Sequence, residues 1–392
     1  MQKKLIALAV AGLVSAPVFA QSNIQVYGVA DAYFKAGDFM GDSTMGVDSG
    51  GLSGSRLGFR GEEDLGSGLK AVFVLEQGFN IDTGKSTAMS GADSLANGGS
   101  DTFTRQAYVG LKGNFGQVAL GRQYAPGYFT GEYDALLNAY ISPMSLLSNF
   151  AGLTITPNSP ARWNNSVTYN GTFQSVSVAA IYSAGNQETD SKLKVGNNLG
   201  LGTADYGDDD KYGISLKYDN GPLKIGGMYQ AVKFKSEYRA ASPVGTPPPV
   251  PYPANGFYAR ANDETQKEWL LGASYNFGMA TLAGSYQQGR DVGGNKDLDV
   301  DLWQVGVIVP VGTGNIHVAY AQADVDKAGS MTSSADPKSF TVAYTHALSK
   351  RTTGYAGYTK VDYDDLTVSG GKPTTTKVDD TDLFYVGVRH TF

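Results

Sequence analysis

The sequence predicts an all-β protein, an antiparallel transmembrane β-barrel of about 16 strands. Segments of roughly ten residues alternate apolar and polar side chains along most of the chain, as expected for strands with one apolar face. Beyond the N-terminal region, the longest apolar stretch lies near residues 305–311 and is too short for a membrane-spanning helix. Only helices and closed barrels satisfy their backbone hydrogen bonds in lipid, so a membrane location requires a closed sheet.

Residues 1–20 have the pattern of a secretory signal peptide. Lys3 and Lys4 precede an apolar run over residues 5–14, and small residues end the segment before Gln21. Residues 21–392 then form one predicted barrel domain. The chain contains no cysteine, which excludes disulfide frameworks, thiolate metal sites and thiol catalysis.

The alternating segments give the predicted strands in chain order. They are 23–35, 51–61, one around 70–76, 101–113, 116–123, 162–171, 174–184, 210–218, 223–236, 267–277, 281–290, 299–309, 315–325, 338–348, 352–363 and 381–392. Short turns alternate with long loops between these segments. In a bacterial barrel, the turns lie at the periplasmic end and the loops at the extracellular end.

Charged residues fix the inner face of the early strands. Arg56 and Arg60 lie on the opposite face from Leu57 in the second predicted strand. An arginine at the lipid midplane costs about 2–4 kcal/mol, so both side chains should face the lumen. By the same alternation, Lys70 and Glu76 of the third strand point inward.

Two further arginines conflict with this alternation. Arg105 has the same parity as the outward residue Ala107, and Arg122 has the same parity as Leu120. Either a β-bulge shifts the alternation, or both arginines sit at the rim beyond the lipid band. The sequence reading favours the rim.

A soluble β-sandwich is the alternative fold. The strand at 267–277 carries Trp269, Leu271, Tyr275 and Phe277 on one face, which is too apolar for a water-exposed sheet surface. A sandwich would need a second sheet to cover each such face, whereas almost every strand here has one apolar and one polar or small face. Lipid contact explains these faces with a single sheet.

The last predicted strand ends on an aromatic residue. Phe384, Val386, Val388 and Phe392 share one face, and Phe392 falls at the level where aromatic girdles meet the membrane interface. Phe392 is therefore the expected C-terminal assembly residue of the barrel.

Five stretches of the chain resemble the general porins of Gram-negative bacteria, particularly the beta-proteobacterial type. They are NIQVYGVADAYF, SRLGFRGEEDLGSGLKAVFVLEQGFN, RQAYVGLKGNFGQVALGRQY, WNNSVTYN and YVGVRHTF. The resemblance implies export through the periplasm, residence among outer-membrane lipid as a homotrimer, and passive diffusion of ions and small hydrophilic solutes. It also implies that the third extracellular loop folds into the lumen and forms a constriction.

The resemblance assigns the constriction loop to residues 124–161, where residues 132–140 could form a short helical turn. Glu132 and Asp134 are the ionised residues of that turn, although the Pro-Glu-Phe-Gly motif of enterobacterial porins is absent. Arginines of the barrel wall should face this loop. The basic residues predicted around the constriction are Arg56, Arg60, Lys70, Arg122 and Arg162, with Glu76 as a further lumen residue.

Two questions about passage stay open from the sequence. The basic excess at the constriction predicts a mild preference for inorganic anions, but the arginines could instead pair with loop carboxylates and only brace the loop. A channel selective for a sugar or organic acid is the alternative function. Its aromatic track could come from Tyr124, Tyr128, Phe129, Tyr133 and Tyr140.

Other functions have little support. The chain has 3 histidines, none beside a Gly-x-Ser-x-Gly motif, and shows no phosphate loop or dinucleotide fingerprint. No enzyme activity, cofactor, metal site or nucleic-acid partner is predicted. Aspartates near residues 205–210 and 362–382 are read as solvated charges of the outer loops rather than divalent-cation ligands, since their spacing matches no ligand loop.

Overall fold

The computed structural model describes residues 23–87, 102–137, 139–184, 210–233, 264–326, 336–363, 367–369, 375–377 and 379–392. The predicted signal peptide lies outside the described residues. The strands are β1 Asn23–Phe39, β2 Asp42–Ser49, β3 Arg56–Gly66, β4 Leu69–Gly78, β5 Gln106–Gly113, β6 Gly116–Tyr124, β7 Arg162–Phe173, β8 Val176–Ser183, β9 Asp210–Asn220, β10 Leu223–Lys233, β11 Thr265–Asn276, β12 Thr281–Arg290, β13 Val300–Val311, β14 Gly314–Val325, β15 Lys338–Ala347, β16 Thr352–Asp362, β17 Thr367–Ser369, β18 Thr375–Lys377 and β19 Thr381–Thr391.

Sixteen of the described strands close into one antiparallel barrel, as the sequence predicts. β3 to β16 pair in sequence order, and β19 then pairs with both β16 and β1. β1 completes the ring because its first part pairs with β3, from Asn23 opposite Glu62 to Val29 opposite Arg56, and its later part pairs with β19. β2 pairs with the far half of β1 beyond β3, and β17 and β18 form a separate hairpin. Closure leaves the ring of sixteen strands without free edges.

The second predicted strand differs from the observed one. Residues 50–55 form a turn between β2 and β3, because the carboxylate of Asp31 accepts the backbone N–H groups of Leu52 and Ser53 at 3.0 and 2.8 Å. The connection between the predicted strands at 51–61 and around 70–76 is also shorter in the structure. β3 runs to Gly66, and the chain reverses at residues 67–68.

The two faces of the sheet have the predicted polarity. Outward residues such as Val26, Leu271 and Phe384 are 59%, 59% and 64% exposed, whereas inward Gln287 and Thr341 are fully buried. Such an outer surface suits lipid rather than water. Seven described turns join neighbouring strands at one end of the barrel, at residues 67–68, 114–115, 174–175, 221–222, 277–280, 312–313 and 348–351.

The connection between β6 and β7 folds into the lumen. Its ends meet where Tyr124 pairs with Arg162, and the N–H of Ala125 donates to the carbonyl of Ala161 at 2.8 Å. Between them lie a 3₁₀ helix, Pro126–Tyr133, the α-helix α1, Pro143–Phe150, and a single 3₁₀ turn, Ser159–Ala161. Together with the inner wall, this loop forms the main buried core of the described residues. No helix in the described ranges is long and apolar enough to cross a membrane.

The helical turn predicted at residues 132–140 is wrong. Asp134 is extended and Leu137 has φ of 54°, so helical geometry stops after Tyr133. Wall side chains take the carbonyls that a helix would use: Gln304 donates to the carbonyl of Tyr133, and His317 Nδ1 lies 2.7 Å from the carbonyl oxygen of Ala135. The α-helix forms later instead, with Pro143 in its first turn and an apolar stripe of Met144, Leu147 and Phe150 buried against the wall.

Candidate functional site

Glu76 of β4 lies at the centre of a charged cluster beside the in-folded loop. Its Oε1 accepts hydrogen bonds from Arg105 Nε and from the Tyr124 hydroxyl, both at 2.7 Å. Its Oε2 accepts the Tyr27 hydroxyl at 3.0 Å and lies 3.8 Å from Arg56 Nε. The Glu76 side chain is only 4% exposed, so these partners replace the water that a buried carboxylate loses.

Two stacked tyrosines join Arg105 to a second guanidinium. Arg105 Nη2 donates to the hydroxyls of Tyr124 and Tyr128 at 2.8 and 3.0 Å. The two rings lie 3.8 Å apart and almost parallel. The guanidinium carbon of Arg162 lies 5.6 and 5.4 Å from their centroids, within the range of cation–π attraction.

Three more arginines line the lumen next to this cluster. Arg56 Nη1 donates to a carbonyl of the 50–55 turn at 3.1 Å, and Arg60 Nε donates to Gln25 Oε1 at 3.0 Å. Arg389 of β19 lines the same part of the lumen as Arg56 and Arg60. Its Nε is buried without a hydrogen-bond acceptor among the described residues. The alternation in the last strand places Arg389 on the inward face, but sequence reasoning gave it no role because its neighbours across the lumen were unknown.

The expected rim position is wrong for both irregular arginines. Arg105 precedes β5, turns into the lumen and is 3% exposed. For Arg122, the bulge is the correct alternative: the register between β6 and β7 shifts between Gly121 and Gln123. Arg122 is 8% exposed, with Nε donating to the carbonyl of Thr104 at 2.9 Å and Nη1 to Asn164 Oδ1 at 2.6 Å.

Lys70 lies away from the cluster, contrary to its predicted place in the constriction wall. It is six residues from Glu76 along β4, which corresponds to roughly 20 Å in an extended strand. Its Nζ lies 2.9 Å from Glu62, which also accepts Lys112 at 3.0 Å. These three side chains form a solvent-exposed ion-pair group near the 67–68 turn.

The loop carboxylates have partners of their own. Glu132 pairs with Lys217 of β9 at 2.5 Å. Asp134 is 1% exposed, and its Oδ1 accepts the N–H of Leu136 at 3.0 Å. Sequence reasoning did not single out Lys217, because no sequence signal says which wall residue the loop will pass.

Glu268 of β11 anchors the returning part of the loop. Its carboxylate accepts the N–H groups of Thr154 and Ile155 at 2.8 and 2.9 Å and the Thr154 hydroxyl at 2.7 Å. Elsewhere the N–H of Gly127 donates to Gln230 Oε1 at 2.7 Å. A carboxylate in the middle of an inward strand face needs such donors, so the alternation of β11 could have indicated Glu268.

Two cavities meet at the cluster. One, of about 860 Å³, is lined by Arg56, Arg60, Glu76, Arg105 and Arg389, among others. The other, of about 320 Å³, lies on the side of the long loops and is lined by Arg105 and Arg162, among others. Arg105 lines both cavities, so its guanidinium lies between them, and the lumen beside it is called the passage here.

Positive charge dominates this passage. Four guanidinium groups stand around it, those of Arg56, Arg105, Arg162 and Arg389, with Glu76 as the carboxylate at their centre. The neighbouring carboxylate of Asp31 holds the 50–55 turn and accepts the Tyr355 hydroxyl at 2.5 Å. Even with both carboxylates counted, the arginines remain in excess. A water-filled passage with this lining attracts anions, because its low-dielectric walls focus the field.

At the outer and closing ends, Lys360 lies 3.6 Å from Asp380 and 3.8 Å from Asp382. Of the other predicted acidic group at residues 205–210, Asp210 begins β9, whereas residues 205–209 lie outside the described residues, as do Asp364 and Asp365. Phe392 exchanges backbone hydrogen bonds with Gly28 at 3.0 and 3.1 Å, which ties the last residue to β1.

The chain matches a model of the Gram-negative porin family over residues 7–366. It is 34% identical to outer membrane porin protein 32 of Delftia acidovorans, an alignment that covers 91% of this chain and 88% of that protein. An outer membrane porin protein of Bordetella pertussis is 28% identical, with 91% and 93% covered. Among solved structures, an anion-selective porin from Comamonas acidovorans superimposes with a TM-score of 0.69 at 29% identity, covering 95% of this chain and all of that one.

Proposed function

Since the chain belongs to the Gram-negative porin family and is an outer-membrane diffusion channel, we propose that its constriction favours small anions over cations. The observation that carries the proposal is Arg105, which lines the cavities on both sides of the narrow passage and stands among three other guanidinium groups. The similarity to an anion-selective porin supports the same preference. The preference should be mild, because Glu76 neutralises part of the cluster.

These arginines have two roles: they brace the in-folded loop, and they favour anions in the lumen. Arg105 holds Glu76, Tyr124 and Tyr128 together, so part of its charge serves the loop. Arg389, by contrast, lines the wider cavity, so its positive charge acts on ions that pass through it. We propose a homotrimer on family membership, and a secretory signal peptide on the pattern of residues 1–20.

The test is the zero-current potential of the purified protein in a planar bilayer under a salt gradient, at low and at high mean ionic strength. We expect an anion-selective potential that weakens as salt rises, because mobile ions screen the arginines. Arg389→Gln should reduce the anion preference, whereas Arg351→Gln, which removes the same charge from an exposed turn, should not. A cation-selective potential of the unaltered protein would contradict the proposal. Conductance steps in groups of three would support the trimer.

A sugar channel with a continuous aromatic track has less support. Tyr133 is fully buried between the loop and the wall, and the Tyr124 and Tyr128 rings stack on each other with arginines at their edges and faces. A sugar track needs successive exposed rings, and these three rings do not provide it.

A further inference from the structure

The cavity on the outer side of the constriction has an apolar side. Tyr140 and Leu146 of the loop form one side, and Tyr363, Leu383 and Tyr385 from the ends of β16 and β19 form part of the other. Its volume of about 320 Å³ lies at the lower end of the range for small-molecule sites. This apolar side favours an apolar body, whereas Lys35, Asp48 and Asn80 give the cavity a polar part.

The floor of this cavity carries the arginines of the constriction. Arg105 donates hydrogen bonds from Nε to Glu76 and from Nη2 to Tyr124 and Tyr128. No described residue accepts a hydrogen bond from its Nη1. Gly54 borders this nitrogen: a Cβ there would lie 3.1 Å from Nη1. Because Gly54 has no side chain, Nη1 of Arg105 stays accessible from the cavity. Arg162 also lines this cavity.

We propose that this cavity is a binding site for monocarboxylates with an aromatic or branched apolar body, and this proposal rests on the anion-preferring function above. The carboxylate binds at Arg105 Nη1, since guanidinium groups form strong charge-assisted hydrogen bonds with carboxylates. The apolar body packs against Tyr140, Leu146 and Tyr363.

Three probes separate the two halves of the site. Benzoate carries both the ring and the carboxylate, acetate only the carboxylate, and benzyl alcohol only the ring. Each is added to purified protein in a planar bilayer carrying a potassium chloride current. We expect benzoate to reduce that current at a concentration about tenfold below acetate, because one buried apolar group contributes at least that factor. Benzyl alcohol should leave the current unchanged.

A substitution in the cavity locates the site. Leu146→Asn removes an apolar wall residue, should raise the half-blocking concentration of benzoate about tenfold, and should leave the zero-current potential in potassium chloride unchanged. The matched control is Leu137→Asn in the same loop. Leu137 is 62% exposed and has φ of 54°, a conformation that asparagine tolerates, and it does not line the cavity.

The outcomes distinguish this proposal from the one on which it rests. A channel without anion preference would contradict the proposed function. Anion preference with equal block by benzoate and acetate would overturn the binding site and leave the function intact. Benzoate block that survives Leu146→Asn, or is lost equally in Leu137→Asn, would also overturn the site.

Discussion

Replacing Arg56 by glutamine tests how the wall charges control passage. The Arg56 side chain is 20% exposed on the wider cavity, and its Nε lies 3.8 Å from Glu76, which keeps Arg105 as its closer partner at 2.7 Å. The substitution therefore removes one positive charge from the lumen while the contacts that hold the loop remain. We expect the anion preference to fall and the pore to stay open.

The size of the effect follows from Coulomb's law. An ion touching the guanidinium is about 5 Å from its charge, where one unit charge contributes roughly 0.8 kcal/mol in water and roughly 0.5 kcal/mol after screening at 0.1 M salt. Anions and cations feel opposite signs, so the free-energy difference between them changes by roughly 1 kcal/mol. The anion-to-cation permeability ratio should fall about fivefold at 0.1 M salt and less than about twofold at 1 M salt.

The assay is the zero-current potential at both salt concentrations, with Lys70→Gln as the control. Lys70 carries the same unit charge and faces inward, but it pairs with Glu62 near the 67–68 turn. A fall in permeability ratio as large in Lys70→Gln as in Arg56→Gln would refute local control by the cluster. A loss in Arg56→Gln that is the same at both salt concentrations would refute the electrostatic cause.

Three further substitutions test the fold around the pore. Glu268→Ala leaves the N–H groups of Thr154 and its neighbour without acceptors, at about 1–3 kcal/mol each, and single-channel recordings should show more frequent closures. Gly28→Val should lower the yield of heat-resistant folded barrel on gels, because a Cβ at this position would lie 2.3 Å from the Phe392 ring. Leu271→Lys should cost about 2–4 kcal/mol of unfolding free energy in lipid, measured by urea titration, because it places a charge on the outward face of β11.

Each of these has a matched control. Glu63→Gln changes an exposed carboxylate of β3 and should leave gating unaltered. Gly46→Val should fold normally, since a Cβ there meets nothing within 4 Å. Val311→Lys, beside the 312–313 turn, should cost no more than about 1 kcal/mol. Equal effects in a substitution and its control would show that the contacts named here are not the cause.

Alternation along single strands made the barrel predictable. Neighbouring residues point to opposite faces of a strand, as Leu271 and Leu270 do, or Phe384 and Tyr385, and only a register shift breaks this period of two. An arginine facing lipid costs so much free energy that its strand face is unambiguous. The inward direction of Arg56, Arg60 and Glu76 followed from this rule.

The site was less predictable wherever the rule fails. The bulge at Gly121 reverses the parity of Arg122, and the alternation alone could not decide between a bulge and a rim position. Arg105 lies just outside its strand, where alternation does not apply. The pairing of Glu132 with Lys217 depends on the path of a loop whose carbonyls bond to distant wall residues. Such contacts join residues far apart in the chain, and local pattern does not encode them.

The pairing of β1 with β19 also constrains the order in which the barrel can assemble. The N–H of Met40 donates to the hydroxyl of Thr381, a residue 341 positions later, at 3.1 Å. Until β19 is in place, β1 and β16 each present an unpaired strand edge, which invites association with other chains. Loop-closure entropy also delays contacts of such long sequence separation. The chain therefore keeps these two edges exposed until its final strand is in place, and the pairing of β19 with β1 ends that exposure.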